Sequence, residues 1–131
     1  METKQLKKIL IIDDDDRNIF ALSAVLNAKG YQCISATSAH EGLQKINMRS
    51  DIGLALVDMM MPEMDGYEMM QKIRTDPLYK HFPLIAVTAQ AMVGDKEKCL
   101  QAGADEYISK PVDLDALVKM IEVHLMKSNL S

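Results

Sequence analysis

No apolar stretch in this sequence approaches the length needed to cross a bilayer, and residues 1–5 lack the apolar segment of a secretion signal. No run of basic residues stands out, and the formal charge of -4 argues against a surface that neutralises nucleic-acid phosphates. Cysteine is nearly absent. Cys33 and Cys99 lie far apart with no metal-ligand spacing around either, so both read as reduced, small apolar residues. These absences leave the cytoplasm as the expected compartment, with neither a membrane nor a nucleic acid among the expected partners. Internal repeats, linkers and low-complexity segments are also missing. The 131 residues suit one domain, 1–131, with a core from about 8 to 126. Hydrophobic residues at 48% against 26% charged place the chain among ordinary globular proteins and not disordered ones.

Within that composition the chain alternates between short apolar runs and segments of helical spacing. Lys8 to Ile12 is an apolar run ending in four consecutive acids, which suits a strand buried on both faces. Arg17 to Lys29 places Ile19, Leu22, Val25 and Leu26 at helical spacing and stops at Gly30. Tyr31 to Ala36 reads as a second strand, and Ser38 caps a helix reaching about Arg49. Leu54 to Val57, Leu84 to Val87 and Glu106 to Ser109 read as three more strands. Helices over Gly66 to Arg74 and Asp95 to Ala102 separate them, the first broken by Asp76-Pro77 and the second ending at Gly103. A last helix carries Leu114, Leu117, Val118, Ile121 and Leu125 on one stripe, and residues 128–131 read as a frayed end. Five strands alternating with five helices predict an α/β fold: a doubly wound parallel sheet covered on both faces.

Such sheets bind ligands beyond the carboxyl ends of their strands. Polar residues directly follow the apolar runs at those ends: Asp13 and Asp14, then Asp58, Thr88 and Lys110. The fold would gather them along one edge. Crowded carboxylates cannot all stay ionised without a cation between them, and oxygen-only ligands on a water-accessible rim suit Mg2+. A divalent cation, a lysine, a hydroxyl and a carboxylate are the parts that stabilise a phosphoryl group in transit. Asp58, on a central strand between the acid pair and the lysine, is the best nucleophile candidate.

Four fragments carry a family resemblance: Ile9 to Asp14, Leu56 to Gly66, Ala86 to Ala89 and Tyr107 to Pro111. Each is weak alone. In this order and at these separations they resemble the receiver domains of two-component response regulators, from about Lys8 to Leu125. The stretch Thr88 to Asp95 is especially similar to receivers of hybrid kinases and of stand-alone cell-cycle regulators. The resemblance implies a flavodoxin-like sheet of strand order 2-1-3-4-5, an order that periodicity does not supply. It implies that Asp58 takes a phosphoryl group from a phosphohistidine on a histidine kinase or phosphotransfer protein, without turnover of a separate substrate. Asp14 would bind Mg2+ directly, Asp13 mainly through its waters, and Asp58 and the Met60 carbonyl would complete the protein ligands. Lys110, Thr88 and the Ala89 N–H would hold phosphoryl oxygens. Thr88 and Tyr107 would form a switch, and Lys110-Pro111 would be a cis peptide. A downstream protein would read the face built from the fourth helix, fifth strand and fifth helix. Met60 and Gln90 would gate hydrolysis, the apolar Met60 favouring a moderately persistent phosphoryl form.

Plainer readings stand beside these. Asp15 and Asp16 are not expected to be ligands, one facing solvent and Asp16 capping the first helix. A calcium loop is disfavoured because Arg17 occupies the third ligand slot and the glycine is missing. The methionines around residues 59–70 read as apolar filler and not as a soft-metal site. His40, His81 and His124 are scattered, with surface or capping roles. Two other functions stay open: a small aspartate hydrolase of the haloacid-dehalogenase type, and a degenerate receiver used only for binding. The hydrolase lacks its Gly-Thr continuation after Asp15 and room for a substrate cap. The initial methionine and plain tail favour a single-domain regulator over a fragment of a hybrid kinase.

Overall fold

The apolar runs at Lys8–Ile12, Ile52–Asp58 and Leu84–Thr88 become the inner strands of a sheet because their residues are buried on both sides. The structure, a computed structural model, describes residues 7–61, 65–89 and 94–130, with side chains to residue 125. In chain order it has β1 (Lys8–Ile12), α1 (Asp16–Ala28), β2 (Cys33–Ala36), α2 (Ala39–Met48), β3 (Ile52–Asp58) and α3 (Gly66–Thr75). A 3-10 turn (Pro77–Tyr79), β4 (Leu84–Thr88), α4 (Asp95–Ala102), β5 (Glu106–Ser109) and α5 (Leu114–Leu130) follow. All five strands pair in parallel in the order β2-β1-β3-β4-β5. This is the flavodoxin-like sheet expected from the resemblance.

Alternation along each strand divides the core in two. Leu10, Ile12, Ala55, Val57, Leu84 and Ala86 meet Ile46, Met69, Met70, Ile73 and Cys99 from α2, α3 and α4. Ile9, Ile11, Leu54, Leu56, Ile85 and Val87 meet Ile19, Leu26, Leu117, Ile121 and Leu125 from α1 and α5. Each fully buried Leu or Ile contributes about 1.5–3 kcal/mol of transfer free energy, so these two layers hold the strand ends in register. β3 runs between β1 and β4 and is buried along its whole length.

Side-chain caps set where the helices begin. Ser38 accepts from the Glu41 N–H at 3.1 Å and Asp65 from the Glu68 N–H at 2.9 Å. At α1 the cap is Asp15, whose carboxylate accepts from the Arg17 N–H at 2.9 Å, and Asp16 is the first helical residue. The expectation that Asp16 caps this helix is therefore corrected. Asp15 keeps the extended backbone of a cap, φ -105° and ψ 110°, while Asp16 already turns with the helix. Other boundaries shift as well. β2 begins at Cys33, because Tyr31 closes the end of α1 by donating its N–H to the Leu26 carbonyl at 3.0 Å. β3 starts at Ile52, and α5 continues through Leu130, past the expected frayed end at Ser128.

Gly66 opens α3 against the end of β3. A Cβ there would lie 2.9 Å from the Met59 Cα and 3.1 Å from the Asp58 carbonyl oxygen. Only glycine lets this helix start so close to the strand end that carries Asp58.

Candidate functional site

The carboxyl ends of β1, β3, β4 and β5 bring Asp13, Asp14, Asp58, Thr88 and Lys110 to one edge of the sheet. Asp13 follows β1 and is tied to the end of β2 by its N–H, which donates to the Ala36 carbonyl at 3.0 Å. Asp58 is the last residue of β3, Thr88 the last of β4, and Lys110 the first after β5. The Lys110 N–H donates to the Thr88 carbonyl at 2.8 Å, which fixes the lysine backbone to the end of β4. The Lys110–Pro111 peptide bond is cis.

Asp13, Asp14 and Asp58 each offer a carboxylate oxygen, and the three lie within 4.8 Å of one another. Asp13 and Asp58 are buried, at 3% and 5% exposure, while Asp14 is exposed. The Lys110 ammonium stands 3.6 Å from Asp13 Oδ2 and 3.9 Å from Asp58 Oδ1. Both distances are too long for tight hydrogen bonds, so the lysine neutralises part of the cluster without being locked to either acid. The Met60 N–H donates to Asp58 Oδ1 at 3.1 Å. Burial pushes the Asp58 carboxyl up to about 6, and Asp13 and Asp14 push the same way, against the Met60 N–H and Lys110. Three acids against one ammonium leave a site that lacks positive charge. Its donors are all oxygens, and one acid faces water. That set could hold a hard divalent cation that keeps part of its water shell.

Thr88 is buried at 2% exposure and Ala89 is exposed at the rim. Met60 is half exposed, whereas Met59 is fully buried. Tyr107 is half-buried beside the α2–α4 layer, and burial raises its hydroxyl pKa. Ala86 registers with Tyr107 and Thr88 with Ser109, so Thr88 and Tyr107 lie on the same face of the sheet edge. Gln90 lies outside the described residues, as do Pro62, Glu63 and Met64 of the quoted motif.

One residue escaped the sequence reading. Asn18, in the first turn of α1, donates its side-chain amide to Asp13 Oδ2 at 3.3 Å. A polar residue five positions beyond Asp13 was the available signal, but only the cap at Asp15 turns it back toward the site.

A parallel doubly wound sheet with an acid cluster, a hydroxyl and a lysine at its carboxyl edge places the chain among the flavodoxin-like α/β proteins. The sequence model of the response regulator receiver domain matches residues 9–122. The chain is 34% identical over 119 residues to the polar-differentiation response regulator DivK of Brucella ovis, covering 91% of this chain and 96% of that protein. It is 40% identical over 118 residues to the sensor histidine kinase RcsC of Salmonella typhi, covering 88% of this chain. In that case the chain spans only 12% of the relative's length. Among solved structures, a putative response regulator from Chloroflexus aurantiacus superposes with a TM-score of 0.87 at 33% identity, covering 93% of this chain and 99% of that one. A CheY-like receiver domain from Methanospirillum hungatei gives 0.84 at 36% identity, covering 95% and 97%. The chain belongs to the response regulator receiver domain family, and it is a signalling domain of two-component systems.

Proposed function

We propose that this domain takes a phosphoryl group from a phosphohistidine onto Asp58 in a Mg2+-dependent reaction, and that the modification switches a protein-binding surface. The observation that carries the proposal is the position of Asp58: buried at the end of the central strand, 3.9 Å from Lys110 and clustered with Asp13 and Asp14. An Asp58 oxygen would attack phosphorus, the bond from phosphorus to the donor imidazole would break, and the freed histidine nitrogen would take a proton. Asp14, Asp58 and the Met60 carbonyl would hold Mg2+ directly and Asp13 mainly through water; the ion supplies charge neutralisation for the phosphoryl oxygens. Lys110, the Thr88 hydroxyl and the Ala89 N–H would take those oxygens as they leave the donor.

The added charge draws Thr88 toward the site, and Tyr107 turns into the space behind it. The face formed by α4, β5 and the start of α5 would then change its fit for a downstream protein. Met60 would govern how long the acyl phosphate survives, since its side chain offers no hydrogen bond to orient water. No helix among the described residues is long and apolar enough to cross a membrane. The proposed compartment is the cytoplasm, where a histidine kinase or phosphotransfer protein would donate the group.

Incubation with Mg2+ and acetyl phosphate should add one phosphoryl group per chain, labile to acid and base, and Asp58→Asn should take none. Equal labelling of the variant, read by intact mass, would end the proposal.

A further inference from the structure

Asp13 is buried, and both of its carboxylate oxygens are engaged. The Asp15 N–H donates to Oδ1 at 2.9 Å. Oδ2 is shared: the Asn18 amide reaches it at 3.3 Å, and the Lys110 ammonium stands 3.6 Å from it. Among the described residues no buried side-chain nitrogen or oxygen lacks a partner, so the resting site is satisfied. Phosphorylation disturbs that balance. Lys110 stands between Asp13 and Asp58, so a turn toward a phosphoryl oxygen on Asp58 would weaken its hold on Asp13, and a buried carboxylate oxygen that loses a partner is disfavoured.

We infer that Asn18 is a positioning residue that releases Lys110, its amide keeping hold of Asp13 Oδ2 while the ammonium turns to the incoming phosphoryl group. This deepens the phosphoryl-transfer reading and rests on it. The carboxylate is acceptor-only, so the amide nitrogen must face it. Asn18 is only half-buried and sits one turn into a helix whose cap is Asp15, so its side chain can be replaced without opening the core. In the resting state Lys110 still covers Asp13 when the amide is gone. The cost of losing Asn18 therefore falls on the phosphoryl-bound state and not on the metal-bound ground state.

The test compares Asn18→Ala, Asn18→Leu and Asn18→Gln in the full chain, with acetyl phosphate as donor and calorimetric titration of Mg2+. The maximal phosphorylation rate of the Ala and Leu variants should fall about tenfold, the size of one hydrogen bond to a charged group. Their Mg2+ dissociation constants should stay within about twofold of the wild type by the same reasoning. Asn18→Gln, which keeps an amide donor, should recover most of the rate. Wild-type maximal rates in Asn18→Leu would overturn the inference. So would a loss of Mg2+ affinity matching the loss of rate, because Asn18 would then merely prop the acid pair. If the wild type itself takes no phosphoryl group, the underlying reading has failed first, and that outcome is distinct from either.

Discussion

The two ends of the parallel sheet carry polar networks of opposite character. At the amino edge the Arg74 guanidinium of α3 is saturated by its own chain. It donates to the Tyr79 carbonyl at 2.9 Å, the Phe82 carbonyl at 2.7 Å and the Gly103 carbonyl at 2.8 and 3.0 Å. It also donates to the Asp105 carboxylate at 3.0 Å, and the same Asp105 oxygen accepts the Leu84 N–H at 2.8 Å. At the carboxyl edge three acids cluster, and two of them, Asp13 and Asp58, share one loosely held ammonium. A cavity of about 870 Å³ opens at the amino edge. Of the residues that line it, Arg74 is bound as above, Arg49 pairs with Asp51, and His124 meets the Glu106 carboxylate at 3.0 Å. Volume does not mark the site here. A charge that the fold has fully paired holds structure, whereas an acid cluster left short of counter-charge could take up a cation.

The largest expected effect breaks the paired end. Arg74→Met should cost about 2–4 kcal/mol, because it strands Asp105 and several carbonyls together. Urea unfolding measures the loss, and Mg2+ affinity at the far edge should not move. An Arg74→Met protein of unchanged stability would remove the distinction between the two ends.

The reverse substitution at the other end should stabilise. The folded pKa of Asp58, about 6, lies above its ordinary 3.8, so between those values the folded state holds a proton that the unfolded chain has lost. Stability then falls as pH rises from about 3.8 to about 6 and stays low above that. In metal-free buffer Asp58→Asn should gain on the order of 2 kcal/mol near neutral pH and nothing at the acid end of this window. Chemical denaturation across the window checks both the size and the sign.

A smaller effect sharpens the role of the exposed acid. Asp14→Ala should weaken Mg2+ binding at least about tenfold through loss of a direct ligand. Asp51→Ala, which removes an acid of the amino edge, should leave it unchanged in the same calorimetric titration.

What the sequence disclosed follows the same division. The strands were legible because parallel strands buried on both faces read as unbroken apolar runs, and the acids after Ile12 and Val57 stand where such runs stop. The order β2-β1-β3-β4-β5 was not legible from periodicity and came with the family resemblance. Strand starts were misplaced where burial precedes pairing, as at Tyr31, or where Gly53 interrupts the apolar pattern. The cap fell on Asp15 and not Asp16 because backbone angles decide it, and a run of four acids carries no such information. Arg74 and Asp105 are 31 positions apart, and Asn18 faces Asp13 only after α1 has turned, so neither contact has a local signature.

The most direct test of the charge-poor edge follows the Asp58 side-chain carboxyl resonance against pH, first without Mg2+ and then at saturation. The carboxyl should titrate near 6 in the metal-free protein and drop by at least about one unit when the cation is present. A carboxyl that titrates at its ordinary value and ignores Mg2+ would contradict the account.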